Sequence, residues 1–252
     1  MTISLAAAAL FTALAAPSAA MNSSAPVPHA PGQTSLPIVI DAGHGGEDLG
    51  AVVKGVREKD IALVVAMKLK ARLKGLPVIL TRDSDRYVPL DKRVVDSVDD
   101  NGAVFISIHL NQVRSKRVSG ATVYSYGAQR ALKHPRKRRH PSVLPLPAPP
   151  RIEASESEFL ARSMTKNMRA AGIHVESAKS DYYILKNPTQ PSVLVELGYL
   201  SNPEEAAKLA GATYQNLLVE CLAKALEEYA TERALRGETL VDDDAAPAPV
   251  IP

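Results

Sequence analysis

Apolar positions along the chain fall into two spacings. Ile38-Val39-Ile40 and Val193-Leu194-Val195 are unbroken apolar runs of strand length. Residues 58–73 instead place Ala62, Val65, Ala66, Leu69 and Leu73 three and four apart, on one helical face. Read this way, Pro37–Asp41 is a strand, 58–73 a helix stopped by Gly75, and Val78–Leu80 the next strand. A helix over 89–99 follows, then strands over 103–108 and Ala121–Tyr126. Next come a helix over 155–171 ending at Gly172 and strands over Tyr182–Leu185 and Ser192–Leu197. Asn202-Pro203-Glu204-Glu205 joins a capping side chain, a proline at the first helical position and two first-turn acids, so a helix starts there. In a last helix, about 213–235, Leu218, Cys221, Leu222, Ala225, Leu226 and Tyr229 recur at three and four, which buries the chain's single cysteine.

Alternating strands and helices, with strands apolar on both faces, predict a three-layer α/β/α sandwich over about residues 36–235. In such sheets ligands gather beyond the carboxyl ends of the parallel strands. A length of 252 residues, 46% of them hydrophobic, accommodates one such domain with appendages. A lone cysteine excludes an intrachain disulfide. With no Trp and three Phe, polar contacts rather than stacked rings would have to hold any carbohydrate.

The appendages differ in character. Ile3–Ala16 is rich in alanine and leucine and ends in Pro17-Ser18-Ala19-Ala20, so residues 1–20 read as a signal peptide, although no Lys or Arg precedes the run. The run is too short to span a bilayer, so export to the periplasm or cell wall is expected, with no membrane span after cleavage. Residues 21–35 read as a flexible linker, and 236–252 as a disordered acidic and Ala-Pro tail. Residues 127–154 form a Pro-rich insertion carrying Arg130, Lys133, Arg136, Lys137, Arg138, Arg139 and Arg151. These seven cations exceed the formal net charge of +3, so the rest of the chain sums to three minus seven, −4. The insertion reads either as a solvated loop or as an arm for an acidic wall polymer or an activator protein. Its start directly after the strand 121–126 places it near the cleft, where Glu153, Glu156 or Glu158 could cover a metal. No nucleic-acid partner is expected.

The candidate chemistry lies in four residues where strands or helices meet loops. His44 sits in the glycine turn after Ile38–Asp41, Glu58 opens a helix, and His109 and Glu196 end strands. Singly, each has an ordinary reading: a loop histidine, a carboxylate favoured by a helix N-terminus, a polar residue at a strand end. Glu196, beside Leu194 and Leu197, is the costliest to explain without a partner. Jointly they have the composition of a catalytic zinc site, in which two imidazoles and a carboxylate leave a position for water and a second carboxylate serves as base.

The motifs Asp41-Ala42-Gly43-His44-Gly45-Gly46, Asp48 with Gly50-Ala51, and Glu58-Lys59-Asp60 are followed by Leu80-Thr81-Arg82 with Asp85, Leu90 and Arg93. Ser107-Ile108-His109-Leu110-Asn111 and Pro191–Asn202 complete the series. In this order, over about residues 36–230, the chain resembles the zinc-dependent N-acetylmuramoyl-L-alanine amidases of bacterial cell walls. The resemblance implies a six-stranded, mainly parallel sheet with the zinc site at the strands' C-terminal ends. It implies that His44, Glu58 and His109 bind Zn²⁺ and that Glu196 is the catalytic carboxylate. It further implies hydrolysis of the bond between N-acetylmuramic acid and L-alanine in peptidoglycan. Leu110 stands where the family usually has alanine and is expected to add bulk beside the site. Arg82 and Arg93 are expected to be structural, pairing with Asp85 or nearby carboxylates. Two other readings fit the same residues: a non-catalytic wall-binding or regulatory protein, and a zinc peptidase acting on the stem peptide.

Overall fold

The apolar run at the start of the domain forms strand β1 (Ile38–Ala42), buried along its whole length. A computed structural model describes residues 37–99, 104–127 and 146–235. The signal peptide, linker and tail expected from the sequence, and residues 128–145 of the insertion, lie outside the described residues. After β1 a small hairpin, β2 (Val52–Val53) and β3 (Val56–Arg57), turns through Lys54 and Gly55, both at positive φ, and delivers the chain to helix α1 (Glu58–Arg72). Two positive-φ residues between paired strands make the tight turn whose twist matches a hairpin. Then come β4 (Val78–Leu80), α2 (Leu90–Asp99), β5 (Val104–Asn111), β6 (Ala121–Tyr126), α3 (Arg151–Ala170) and β7 (Val175–Ser180). A 3₁₀ turn at Tyr183–Leu185, β8 (Ser192–Tyr199), α4 (Pro203–Ala210) and α5 (Ala212–Leu235) complete the chain order.

Six strands form one sheet in the order β4-β1-β5-β8-β6-β7. All neighbours are parallel except β6 and β8, so the six-stranded, mainly parallel sheet is as expected. Helices α1, α3 and α5 cover one face, over a core that includes Ile40, Ile106, Ile108, Val195, Leu69, Leu160 and Leu222. The other face is covered more thinly, by Val94 of α2 and by Ile184 and Leu185 of the 3₁₀ turn, which pack on Val39, Phe105, Tyr124 and Leu194. Cys221 is buried in the larger core, and Asn202 caps α4 by accepting from the backbone N–H groups of Glu204 and Glu205.

Three expectations fail here. Tyr182–Leu185 is no strand; its apolar side chains mark a helical turn laid over the thin face. The sixth strand is instead β7, whose polar sequence Val-Glu-Ser-Ala-Lys-Ser suits a half-exposed sheet edge. Third, the insertion does not leave the sheet beside the strand ends that carry the candidate residues. Because β6 runs against β8, its last residues lie level with Val193, not Glu196. The far side of the insertion returns to the same edge, where Ser157 of α3 accepts from the Ser192 N–H at 2.8 Å.

Candidate metal centre

Strand register sets the site. Side chains alternate between faces along a strand, so residues aligned across a sheet share a face. On the thinly covered face one row reads Asp41, Ser107, Leu194 and Tyr124. The next row toward the C-terminal ends reads His109, Glu196 and Thr122 on β5, β8 and β6. Polarity therefore rises along this face, from the apolar floor of Val39 and Phe105 to the His109–Glu196 row.

His44 and Glu58 approach that row from β1 and α1. Glu58 Oε1 lies 3.0 Å from His44 Nε2 and 3.0 Å from His109 Nδ1. One donor atom from each of the three residues lies within 4.8 Å of the others, a group that could hold a metal ion. Two backbone N–H groups fix the Glu58 carboxylate, Ala51 donating to Oε2 at 2.7 Å and Leu110 to Oε1 at 2.9 Å. Two glycines make the approach possible. A Cβ on Gly43 would collide with the His109 ring, and one on Gly50 (φ +65) would come within 2.7 Å of Glu58 Oε2. The remaining His44 nitrogen, Nδ1, sits 2.8 Å from Asp48 Oδ2, which fixes the ring and makes Nε2 the better donor. Burial opposes a charge on His44, but hydrogen bonds to Asp48 and Glu58 and their charges outweigh it and push the imidazole up to about 9. Glu58 shows the converse: burial raises its pKa, yet the two imidazoles hold the carboxyl well below the usual range.

Beneath this group lies a buried network. His44 has φ +59, a left-handed conformation that costs a non-glycine residue free energy unless its surroundings hold it. Arg93 supplies that hold, donating to the carbonyls of His44 at 2.7 Å, Ala42 at 2.8 Å and Val88 at 3.0 Å, and to Asp41 Oδ1 at 2.5 Å. Arg82, fully buried, donates to the carbonyls of Ala42, Gly43 and Lys59, and so ties the His44 turn to the helix that begins with Glu58. The expected pairing of Arg93 with a carboxylate holds. Arg82, by contrast, spends its donors on carbonyls, while Asp85 pairs with Lys59 at 2.6 Å.

Asp41 titrates against this background. Burial raises its pKa, but Arg93 and the hydroxyls of Ser107 and Thr81 overcome that and bring it below the ordinary 3.8. A depressed folded-state pKa contributes stability that is complete above the unfolded value and is lost as pH falls through the folded one. The wild-type melting temperature should therefore drop steeply below about pH 4, whereas Asp41→Asn, already less stable, should show a shallower drop there. Thermal melts between about pH 6 and pH 3 test this, and parallel profiles for the two proteins would contradict it.

The four residues expected from the sequence are brought together as three mutually facing donors plus Glu196, which is 7% exposed and adjacent to His109 across the sheet. Leu110 does not crowd the site; it points into the core of the opposite face, and only its N–H reaches Glu58. Glu156 and Glu158 do not join the donor group: Glu158 pairs with Lys179 at 2.7 Å, and Glu156 accepts from the Tyr229 hydroxyl. Asp48 was visible only as a motif residue; its spacing of four from His44 was the signal for its role. Thr122 left no signal, because its place beside Glu196 depends on β6 pairing with a strand about 70 residues later.

At its carboxyl edge the α/β sheet gathers a His-Glu-His set that could hold a metal ion, with a second glutamate in the same row as His109, an arrangement compatible with a metal-assisted hydrolase. Residues 38–228 match the family model of the N-acetylmuramoyl-L-alanine amidases, and the chain belongs to that family. The germination-specific N-acetylmuramoyl-L-alanine amidase of Bacillus subtilis is 31% identical over 212 residues, covering 78% of this chain and 80% of that protein. The catalytic domain of CwlV, an N-acetylmuramoyl-L-alanine amidase from Bacillus (Paenibacillus) polymyxa, superposes with a TM-score of 0.63 at 30% identity, over 78% of this chain and 98% of that one. The CwlD amidase of Clostridioides difficile, solved in complex with the GerS lipoprotein, gives 0.59 at 26% identity, over 79% and 100% of the two chains. The protein is thus an amidase of cell-wall peptidoglycan, cleaving between N-acetylmuramic acid and L-alanine. Among the described residues no helix is long and apolar enough to cross a membrane.

Proposed function

We propose that this amidase works with zinc held by His44, Glu58 and His109, and with Glu196 as its general base and acid. The facing of His44 Nε2, Glu58 Oε1 and His109 Nδ1 carries this reading. Two imidazole nitrogens and a carboxylate oxygen are the donor types of catalytic zinc sites. The glycines at 43 and 50 keep clear the space that a side chain would fill. Bound there, zinc supplies a Lewis acid that polarises the scissile carbonyl and lowers the pKa of water.

The chain's own residues supply the rest. Glu58 and the Asp48-oriented His44 fix the donors, so little reorganisation is needed when substrate binds. Glu196, on the neighbouring strand and the same face as His109, takes a proton from the attacking water and passes it to the departing alanine nitrogen. The muramoyl carboxylate and a stem peptide with a free alanine amine are the products. Retention of all four groups favours turnover over a purely wall-binding role. Export through the N-terminal apolar run belongs to the same reading, as does contact of the basic insertion with an acidic wall polymer or an activator. The complex of the related CwlD amidase with a lipoprotein supports a protein partner.

The test is to digest purified sacculi with the metal-loaded protein and identify the new ends. Free alanine amines and intact glycan strands are expected, with one zinc per chain by metal analysis. New reducing sugar ends, or cuts within the stem peptide, would replace the amidase reading with a glycosidase or peptidase.

A further inference from the structure

A set of cations among the described residues lies outside the 127–154 insertion, whose described ends are at the opposite edge of the sheet. They lie in the connection from β5 to β6. Since β8 sits between these two strands, residues 112–120 must cross the carboxyl end of β8, the strand that carries Glu196. The crossing is anchored at both ends. Leu200 N–H donates to the Asn111 carbonyl at 2.8 Å and Val113 N–H to the Ser201 hydroxyl at 3.2 Å. At the far end Gly120 N–H donates to Glu205 Oε1 at 2.7 Å. Between the anchors Arg114, Lys116 and Arg117 are exposed, the segment contains no acid, and among the described residues none of the three side chains forms an ion pair. The loop begins three residues after His109 and rejoins the sheet one residue before Thr122, the neighbour of Glu196.

The chemistry decides which part of the substrate meets this rim, and here the argument rests on the function proposed above. Glu196 gives its proton to the leaving nitrogen, so the peptide half of the substrate lies on the Glu196 side of the donor group. In the sheet order that direction runs from β5 across β8 to β6, the two outer strands of this trio being those that the 112–120 crossing joins. Beyond its first alanine the stem peptide bears free carboxylates, and two extended residues span about 7 Å, within reach of long cationic side chains on the rim. We infer that Arg114, Lys116 and Arg117 form a subsite for the stem-peptide carboxylates, which selects acidic stems over amidated ones. Arginine suits this role because its planar fork binds a carboxylate through two parallel hydrogen bonds.

The experiment compares the wild type with the triple variant Arg114→Gln, Lys116→Gln, Arg117→Gln on two soluble muropeptides that differ only in whether the stem carboxylates are free or amidated. The variant should raise KM about tenfold on the free acid and less than about twofold on the amide, and the salt dependence of the wild-type KM on the free acid should flatten. An equal change on both substrates, or none, overturns the subsite. Failure of the function itself is separable: a wild type that releases no alanine-ended peptide from either substrate refutes the amidase reading alone. Calorimetric titration of the stem peptide onto both proteins then still reads the loop. Binding about tenfold weaker to the variant is expected, and equal affinity overturns the proposal whether or not either protein turns over.

Discussion

Replacing Glu196 by glutamine should lower kcat by about 10²- to 10⁴-fold while the protein keeps its metal, because the amide has nearly the shape of the acid but cannot accept and return a proton. The position favours a clean result. Glu196 is buried on β8 and lies outside the His44, Glu58 and His109 donor group, so the substitution leaves the ligands intact. The control is Glu58→Gln. Its side chain sits between both imidazoles and accepts from two backbone N–H groups, so an amide there presents a donor where the Ala51 or Leu110 N–H already points. That variant should lose zinc as well as turnover. Metal content and single-turnover rates measured side by side distinguish the two roles. A Glu196→Gln protein that stays active, or one that loses its zinc, removes Glu196 from the role of base.

The four candidate residues stand out in the sequence because local rules expose them: a carboxylate after an apolar strand and a histidine in a glycine turn both need a reason. Their grouping was legible only through the rule that parallel sheets present sites at the carboxyl ends of strands. Register added what no local rule contains. His109 and Glu196 are 87 residues apart yet adjacent in one row, and Thr122 joins them from a strand running the other way.

The misreadings share a physical origin. Tyr182–Leu185 and β7 were exchanged because apolar content reports burial rather than backbone conformation, and a helical turn over a core needs apolar side chains as much as a strand does. Leu110 was placed beside the site because it adjoins His109 in sequence, but successive strand residues face opposite ways. The insertion was placed near the cleft because it directly follows the strand 121–126, but the end of the sheet at which that strand stops depends on pairing partners far along the chain. Arg82 was matched to a carboxylate because arginines commonly are; its carbonyl partners follow only from the folded His44 turn.

Removing the Arg93 guanidinium should cost about 3–5 kcal/mol, the range for breaking a buried ion pair by deleting one partner. Arg93→Met leaves the Asp41 carboxylate, 1% exposed, without its counter-charge and strips a donor from the carbonyls of Ala42, His44 and Val88. For a domain of this size the melting temperature should fall by about 10 °C. The loss should also reach the metal. His44 holds its left-handed backbone partly through the Arg93 bond to its carbonyl, so zinc affinity should weaken about 10- to 100-fold, as when a ligand's supporting shell is removed. The double variant Asp41→Asn, Arg93→Met separates the two effects. With the buried charge gone it should recover part of the stability of Arg93→Met, but the His44 carbonyl still lacks its donor, so zinc affinity should stay low. Thermal melts and competitive zinc titration read the two quantities independently. An Arg93→Met protein that melts within about 2 °C of wild type, or recovery of zinc affinity together with stability in the double variant, would show that Arg93 does not hold the His44 turn in place.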